Sequence, residues 1–182
     1  MDGEIGAIEV VTIISRDPSP PPASYIAVSG GQFHDFDMAL WLTNAKGSLE
    51  LCAMGSNLVD PAIGELGDTD TAHVMIRFEN GALCRIDCSG LAVYVYDPRV
   101  EVFGSKGMVA SANLLKTGVE RFGATGTSSR DTLLPGFMER YLPTYSTELN
   151  YFVDALSKGS KIESNFQSGQ HPSGMCEARP RD

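Results

Sequence analysis

The chain has 182 residues, which suits one domain of ordinary size and is too short for a complete two-domain enzyme. Hydrophobic residues make up 42% and charged residues 20%, a composition typical of a globular chain and too apolar for disorder throughout. Fourteen Lys and Arg against 23 Asp and Glu give a formal net charge of -9, and no segment gathers the basic residues. Nucleic acids and anionic membranes are therefore not expected as partners.

No feature of the sequence indicates a membrane span or an export signal. Apolar runs stay below the roughly 18 residues that a spanning helix requires. Asp2 and Glu4 lie where a signal peptide would carry basic residues. We therefore predict a cytoplasmic location.

The four cysteines, Cys52, Cys84, Cys88 and Cys176, are too scattered to form a disulfide framework. Cys84 and Cys88 are four residues apart on a predicted strand and so share one face, but no second His or Cys pair completes a zinc site. We expect free, mostly buried thiols and no bound metal.

Apolar residues in alternation predict six strands separated by turn residues. The strands are expected at residues 8–15, 48–55, 71–78, 82–89, 100–103 and 108–112. Prolines after Asp17 end the first strand, because proline supplies no donor for sheet hydrogen bonds. Asn80-Gly81 predicts a type I′ hairpin between the third and fourth strands. Gly104 to Gly107 predicts a turn between the last two.

Two segments have helical patterns. The first is expected at 35–42, with the charges of Asp35 and Asp37 at the positive end of the helix dipole. The second is expected at 143–158, with Pro143 in its first turn, Gly159 after its end and apolar residues on one stripe. These elements predict an α+β domain, a mostly antiparallel sheet with helices on one face. The other sheet face must then be covered by something else.

Two further segments have no regular pattern. The glycine-rich run 123–129 is expected to be a mobile loop. We assign residues 1–162 to the folded domain, because residues 163–182 are polar, rich in Gly, Ser and Pro, and without apolar periodicity.

The common cofactor and nucleophile motifs are absent from the sequence. It contains no G-x-G-x-x-G, no G-x-x-x-x-G-K-[ST], no G-x-S-x-G and no H-E-x-x-H. We therefore expect this chain alone to bind no nucleotide.

The segment Gly30 to Asp37 attracts notice, because it places His34 beside two carboxylates. A histidine there could accept a proton from a hydroxyl while a carboxylate fixes its tautomer. The alternative is a helix start whose acids cap the backbone and whose histidine packs or faces water.

Tyr94 and Tyr96 share one face if their segment is extended, where phenols can pack or offer hydroxyls to a polyol. His73 is expected on the solvent side of its strand.

Taken in order, several segments resemble the C-terminal domain of the Gfo/Idh/MocA oxidoreductases, with the inositol 2-dehydrogenases as the nearest similarity in that family. The segments are IEVVTIISRDPSPPP, HDFDMALWL, GDTDTAHVMIRFENGALCRID, YVYDPRVEVFGSKGMV and ELNYFVDALSKG. The resemblance runs from about residue 3 to about residue 162. It implies an open-faced sheet used in subunit pairing. The Rossmann domain that binds NAD or NADP and carries the catalytic lysine is not part of this chain.

The resemblance also implies site residues. It assigns His34 as the catalytic histidine, Tyr96 as a substrate contact, and Asp17 to the loop that approaches the sugar hydroxyls. Where the family pattern is G-G-x-F-x-D-x-x-x-H-D-x-D, Phe33 is here followed directly by His34, so the partner aspartate is missing. We expect this loss to remove the first helical turn and leave His34 in the entering loop. Val95 stands where the family usually has glycine.

Two functions follow from the resemblance. The first is the substrate-binding and oligomerisation domain of an NAD(P)-dependent polyol or sugar dehydrogenase, inactive without the nucleotide-binding domain. The second is a non-catalytic module that pairs with itself or with a full-length relative through the sheet face. An exposed apolar sheet face would favour the second.

Overall fold

A computed structural model describes residues 3–18, 28–126 and 128–162 of the chain, so the predicted tail at 163–182 lies outside the described residues. The main sheet has six strands in the order β2-β3-β4-β1-β5-β6. They are β1 (Ile8–Arg16), β2 (Ser48–Ser56), β3 (Thr71–Phe78), β4 (Leu83–Ser89), β5 (Asp97–Gly104) and β6 (Gly107–Ser111). Only the β1–β4 pair is parallel; the other pairs in this sheet are antiparallel. The predicted α+β class is confirmed.

The core lies between one sheet face and helix α1 (Val28–Thr43). Strand residues alternate between the two faces, so Val11 and Ile13 of β1 and Ile86 of β4 point toward the helix and are buried. Phe36 and Ala39 of α1 pack into the same cluster. The helix thus lies over β1 and β4, the centre of the sheet.

Helix α1 begins earlier than predicted. It starts at Val28, so the expected start at Asp35 is wrong. Asp35 and Asp37 lie in the middle of the helix, and its first turn contains no acidic residue. The two carboxylates therefore do not cap the helix, and the N-terminal turns include Gly30 and Gly31 despite the low helix propensity of glycine.

The C-terminal helix α3 (Phe137–Lys158) also begins earlier than predicted, so Pro143 lies inside it and not in its first turn. Gly159 ends this helix in the left-handed conformation, as predicted. A short helix α2 (Pro61–Glu65), capped by Asp60, was not predicted. Two short strands, β7 (Glu120–Phe122) and β8 (Ser128–Arg130), form a separate hairpin. Part of the predicted loop 123–129 therefore belongs to β8.

The β3–β4 hairpin forms where Asn80-Gly81 predicted it, but not as a type I′ turn. Gly81 has φ of 88° while Asn80 does not adopt a positive φ. Phe78 N–H donates to Ala82 O at 2.9 Å, and Gly81 N–H donates to Phe78 O at 2.9 Å. The hairpin loop is therefore the common three-residue type, in which a turn is followed by a glycine in the left-handed conformation.

Candidate functional site

The first predicted site residue, Asp17, follows the last residue of β1. Its backbone N–H donates to Ser89 O at 2.9 Å, and its carbonyl accepts a hydrogen bond from Ala92 N–H. The residue is exposed overall, yet partial desolvation of its carboxyl group raises the pKa of Asp17. The end of β4 and the segment before β5 thus hold Asp17 in place.

Asp35 points inward from α1 and is 8% exposed. Burial raises the pKa of Asp35 from 3.8 to about 6, and the charge of Asp17 adds to this rise. Hydrogen bonds from the Cys88 thiol, at 3.4 Å to Oδ2, and from the Ser15 hydroxyl oppose it. Asp35 is therefore a buried acid close to Asp17, able to change its protonation near neutral pH.

Tyr96 is half-buried just before β5, and its ring meets the ring of Tyr141 edge-on, with centroids 6.3 Å apart. Burial raises the pKa of the Tyr96 phenol, with further increases from Tyr141 and from the charge of Asp17, while Arg140 lowers it. We call Asp17, Asp35, Tyr96, Arg140 and Tyr141 the Tyr96 cluster.

Tyr94 and Tyr96 do not share one face of an extended strand, so that prediction is wrong. Residues 93–95 form a turn in which Val95 has φ of 92°. Left-handed backbone is strongly disfavoured for a β-branched residue. The phenol of Tyr94 is held outside the Tyr96 cluster: it accepts from Arg16 Nη1 at 3.0 Å and donates to Asp97 Oδ2 at 2.7 Å.

Asp97 is the buried centre of that second network and is 2% exposed. Besides Tyr94, it accepts hydrogen bonds from Nε and Nη2 of Arg99, both at 2.8 Å, and from Asn113 Nδ2 at 3.0 Å. Burial alone would raise the pKa of Asp97, but these donors outweigh it and hold the pKa below its ordinary value. The network fixes the start of β5, which directly follows Tyr96 in the chain.

His34 does not lie in an entering loop, because α1 continues through it for six residues toward its N-terminus. It is exposed, and its ring contacts Phe33 edge-on at 5.9 Å. The position four residues before it is Gly30, which carries no carboxylate, whereas Asp37 is exposed one turn later on the same side. In the described part of the chain, no hydrogen bond or ion pair joins His34 to the Tyr96 cluster.

The predictions for the other histidine and the cysteines on the sheet are confirmed where the structure describes them. The side chain of His73 is 61% exposed and lies 3.8 Å from Asp87. Cys84 and Cys88 are free, buried and on the same face of β4. Burial raises the pKa of Cys84 to about 12, so this thiol is not a reactive thiolate. Cys52 is exposed, and Cys176 lies outside the described residues.

Three members of the Tyr96 cluster, Asp35, Arg140 and Tyr141, were not predicted as site residues from the sequence. Asp35 was interpreted as a cap, although it lies four residues before buried Ala39 and therefore on the inward face of α1. That spacing could have revealed it. Arg140 and Tyr141 precede the predicted start of the second helix, and no local signal connects them with Tyr96.

Chemically, the cluster combines two carboxyl groups, two phenols and a guanidinium at one end of the sheet. Carboxylates accept hydrogen bonds and a phenol both donates and accepts, which suits a ligand with several hydroxyl groups. The described residues do not fit a dinucleotide: β2 leads to α2 through Asn57 to Asp60, without the glycine-rich turn that accommodates a pyrophosphate. Within the described ranges, no helix is long and apolar enough to cross a membrane.

Comparison with known proteins identifies the family. The family model for the GFO/IDH/MocA C-terminal domain matches residues 1–110. A myo-inositol 2-dehydrogenase of Thermotoga maritima is 46% identical over 174 residues, which are 93% of this chain and 52% of that protein. An inositol 2-dehydrogenase of Rhizobium meliloti is 40% identical and covers 99% of this chain and 56% of its own.

Solved structures agree. The crystal structure of a probable dehydrogenase from Thermotoga maritima superposes with a TM-score of 0.89 at 42% identity, covering 97% of this chain and 55% of that one. Among the curated proteins, a scyllo-inositol 2-dehydrogenase (NAD(+)) of Bacillus subtilis is 32% identical over 86% of this chain. The chain spans about half the length of the curated relatives that it matches. It belongs to the Gfo/Idh/MocA family, as the C-terminal domain, and is similar to the inositol 2-dehydrogenases within it.

Proposed function

We propose that the chain is the substrate-binding and oligomerisation domain of an inositol 2-dehydrogenase-like, NAD(P)-dependent oxidoreductase. The observation that carries this proposal is that Asp17 and Tyr96 flank the paired residues Arg16 and Asp97 at one end of the sheet, where the charge of Asp17 raises the pKa of Tyr96. Relatives of the chain bear the name inositol 2-dehydrogenase. The nicotinamide cofactor belongs to a domain outside this chain, because the described residues offer no dinucleotide site. Alone, the chain is expected to bind a polyol and to catalyse no reaction.

The proposed roles follow from the chemistry of each side chain. Asp17 accepts hydrogen bonds from polyol hydroxyls, and the phenol of Tyr96 donates or accepts one. His34 is the proposed proton acceptor, since it is the exposed histidine of α1. The residue one turn before His34 is Gly30 and not a carboxylate, so His34 lacks an acidic partner on that side, which supports an inactive chain. A cytoplasmic location remains a prediction.

Calorimetric titration of the 182-residue chain with myo-inositol, without nicotinamide, tests the proposal. We expect binding, and we expect Tyr96→Phe to weaken it about 3- to 10-fold, the effect of losing one hydrogen bond. Asp17→Asn should weaken it by at least as much, because a bond to a charged group is stronger. Tyr145→Phe, which removes a phenol hydroxyl from α3, is the matched control and should change nothing.

Two results would contradict the proposal. One is the absence of any heat of binding with myo-inositol, scyllo-inositol and simple sugars. The other is binding of NAD or NADP by the chain alone, or reduction of either cofactor when myo-inositol is added, since both would require a nucleotide site within these residues.

The second candidate function, a non-catalytic pairing module, rests on a different observation. The sheet face opposite α1 is not covered by any described element, and it exposes Val10, Met54, Met75, Leu83 and Phe103. An apolar surface of this kind usually marks an interface. We expect sedimentation to show a dimer that Met75→Asp converts to monomer, while Leu149→Asp on α3 does not. A strictly monomeric chain would rule out self-pairing.

A further inference from the structure

Tyr96 is held at its backbone by Asn113 and at its ring by Tyr141, and both of these residues contact Arg140. At the backbone, Asn113 Nδ2 donates to Tyr96 O at 2.8 Å, and Asn113 Oδ1 accepts from Arg140 Nη1 at 3.1 Å. At the ring, Tyr141 meets Tyr96 edge-on, and the guanidinium carbon of Arg140 lies 5.7 Å from the centroid of Tyr141. The contacts form a closed circuit of four residues with Arg140 opposite Tyr96.

Arg140 is itself fixed on the sheet side of this circuit. Its Nη2 donates to the carbonyl of Pro98 at 3.3 Å, next to the buried carboxylate of Asp97. One guanidinium therefore bonds to the start of β5 and to Asn113 at the same time. A planar fork with several donors can make both bonds and still face a ring, whereas the single ammonium of lysine offers no such fixed geometry.

We infer that Arg140 is a positioning residue for Tyr96: through Asn113 and Tyr141 it sets the backbone and the ring orientation of the tyrosine that contacts the polyol. This inference rests on the proposed function for the role of Tyr96, but the positioning itself can be measured without a ligand. Arg140 contacts no polyol in this scheme and acts only through its two neighbours.

A simpler role for Arg140 would be to anchor the start of α3 to the sheet. In that case its loss would lower stability without a specific effect on Tyr96. The two roles differ in a spectroscopic signature, since the chain has only six tyrosines and Tyr96→Phe identifies the signal of Tyr96 in a chain labelled with ¹³C at tyrosine Cζ.

The experiment compares Arg140→Gln and Arg140→Lys with the wild-type chain. We expect Arg140→Gln to shift the Tyr96 signal, to leave that of Tyr145 on α3 in place, and to weaken myo-inositol binding about 3- to 10-fold. Arg140→Lys keeps the positive charge but lacks the planar fork, so it should restore only part of the Tyr96 signal position and only part of the binding. Full restoration of the signal by lysine would mean that charge alone acts on Tyr96, and would overturn the inference. The matched control is Arg130→Gln, which removes a guanidinium from an exposed pair with Glu120 and should change neither.

An unchanged Tyr96 signal in folded Arg140→Gln would overturn the inference. If that variant does not fold, Tyr141→Leu decides instead. It removes the ring contact with Tyr96, the side-chain hydrogen bond between the two tyrosines and the ring that faces Arg140, and it should shift the same signal. No shift there overturns the inference as well. The proposed function fails separately, if the wild-type chain does not bind myo-inositol. The NMR test of positioning uses no ligand and would still apply in that case.

Discussion

The sheet with α1 and the segment that follows Asn113 bury their apolar residues to very different extents. Strand residues facing α1 are almost fully buried, with Phe78 and Ile86 both 0% exposed. In α3, by contrast, the apolar stripe is exposed, and among described helical residues there only Ala155 is buried. Strands such as β3 and helix α3 both have clear amphipathic patterns. The pattern therefore predicts which side of an element is apolar, but not whether this chain supplies the surface that covers it.

The two regions meet at the Tyr96 cluster. Arg140 and Tyr141, from the first turns of α3, contact the start of β5 and Tyr96. These contacts are polar and aromatic, and they lie at one end of the helix. We therefore expect the free energy of unfolding to come mainly from the sheet and α1, while α3 contributes little beyond its first turns.

The largest expected effect tests this division directly with the same substitution in each region. Phe78→Ala should lower the free energy of unfolding by about 3–5 kcal/mol, because it removes a fully buried ring and leaves a cavity. Phe122→Ala in β7, where the ring is 75% exposed, should change it by less than about 0.5 kcal/mol. Urea unfolding followed by circular dichroism measures both.

Should Phe78→Ala fail to fold, Ile86→Val provides a milder core change, expected to cost about 0.5–1.5 kcal/mol. Equal losses for the buried and the exposed phenylalanine would contradict the division and would mean that the hairpin is part of the cooperative core.

The strands were predictable from sequence because alternation reports the two faces of a sheet, and the bounds of β3 match the prediction. The parallel pairing of β1 with β4 was not predictable from the sequence, because it joins residues more than 70 positions apart. The start of α1 was missed because its glycines argue locally against a helix, so that packing on the sheet outweighs propensity. Two of the five residues of the Tyr96 cluster, Asp17 and Tyr96, were predicted as site residues. Arg140 could not be predicted, because it reaches Asn113 only through the fold.

Asp35, on the inward face of α1, differs from the buried acid Asp97 of β5, because the pKa of Asp35 is raised and that of Asp97 is lowered. The folded-state pKa of Asp35, about 6, lies above the ordinary 3.8, so the folded chain holds this proton more tightly than the unfolded chain does. The resulting stability is fully present below about pH 4 and is lost as the pH rises through 6. The difference is about 3 kcal/mol.

Replacing Asp35 by Asn removes the titrating group and should flatten this part of the pH dependence between pH 4.5 and 7.5. Asp37→Asn, two residues later and exposed, is the control and should keep the wild-type dependence. A wild-type chain whose stability rises across this range relative to Asp35→Asn would show that the carboxylate is better stabilised in the fold than in water.

The smallest expected effect concerns Val95, in the turn that leads to Tyr96 where the two regions meet. A β-branched residue at φ of 92° carries strain on the order of 1–3 kcal/mol. Val95→Gly relieves that strain but increases the entropy of the unfolded chain, so a net stabilisation of about 1 kcal/mol is expected. Val93→Gly, in the same turn but without a positive φ, should instead destabilise by about 0.5–1 kcal/mol. Thermal unfolding of both variants tests this prediction. If the two glycines destabilise the chain equally, the turn at Val95 is not strained.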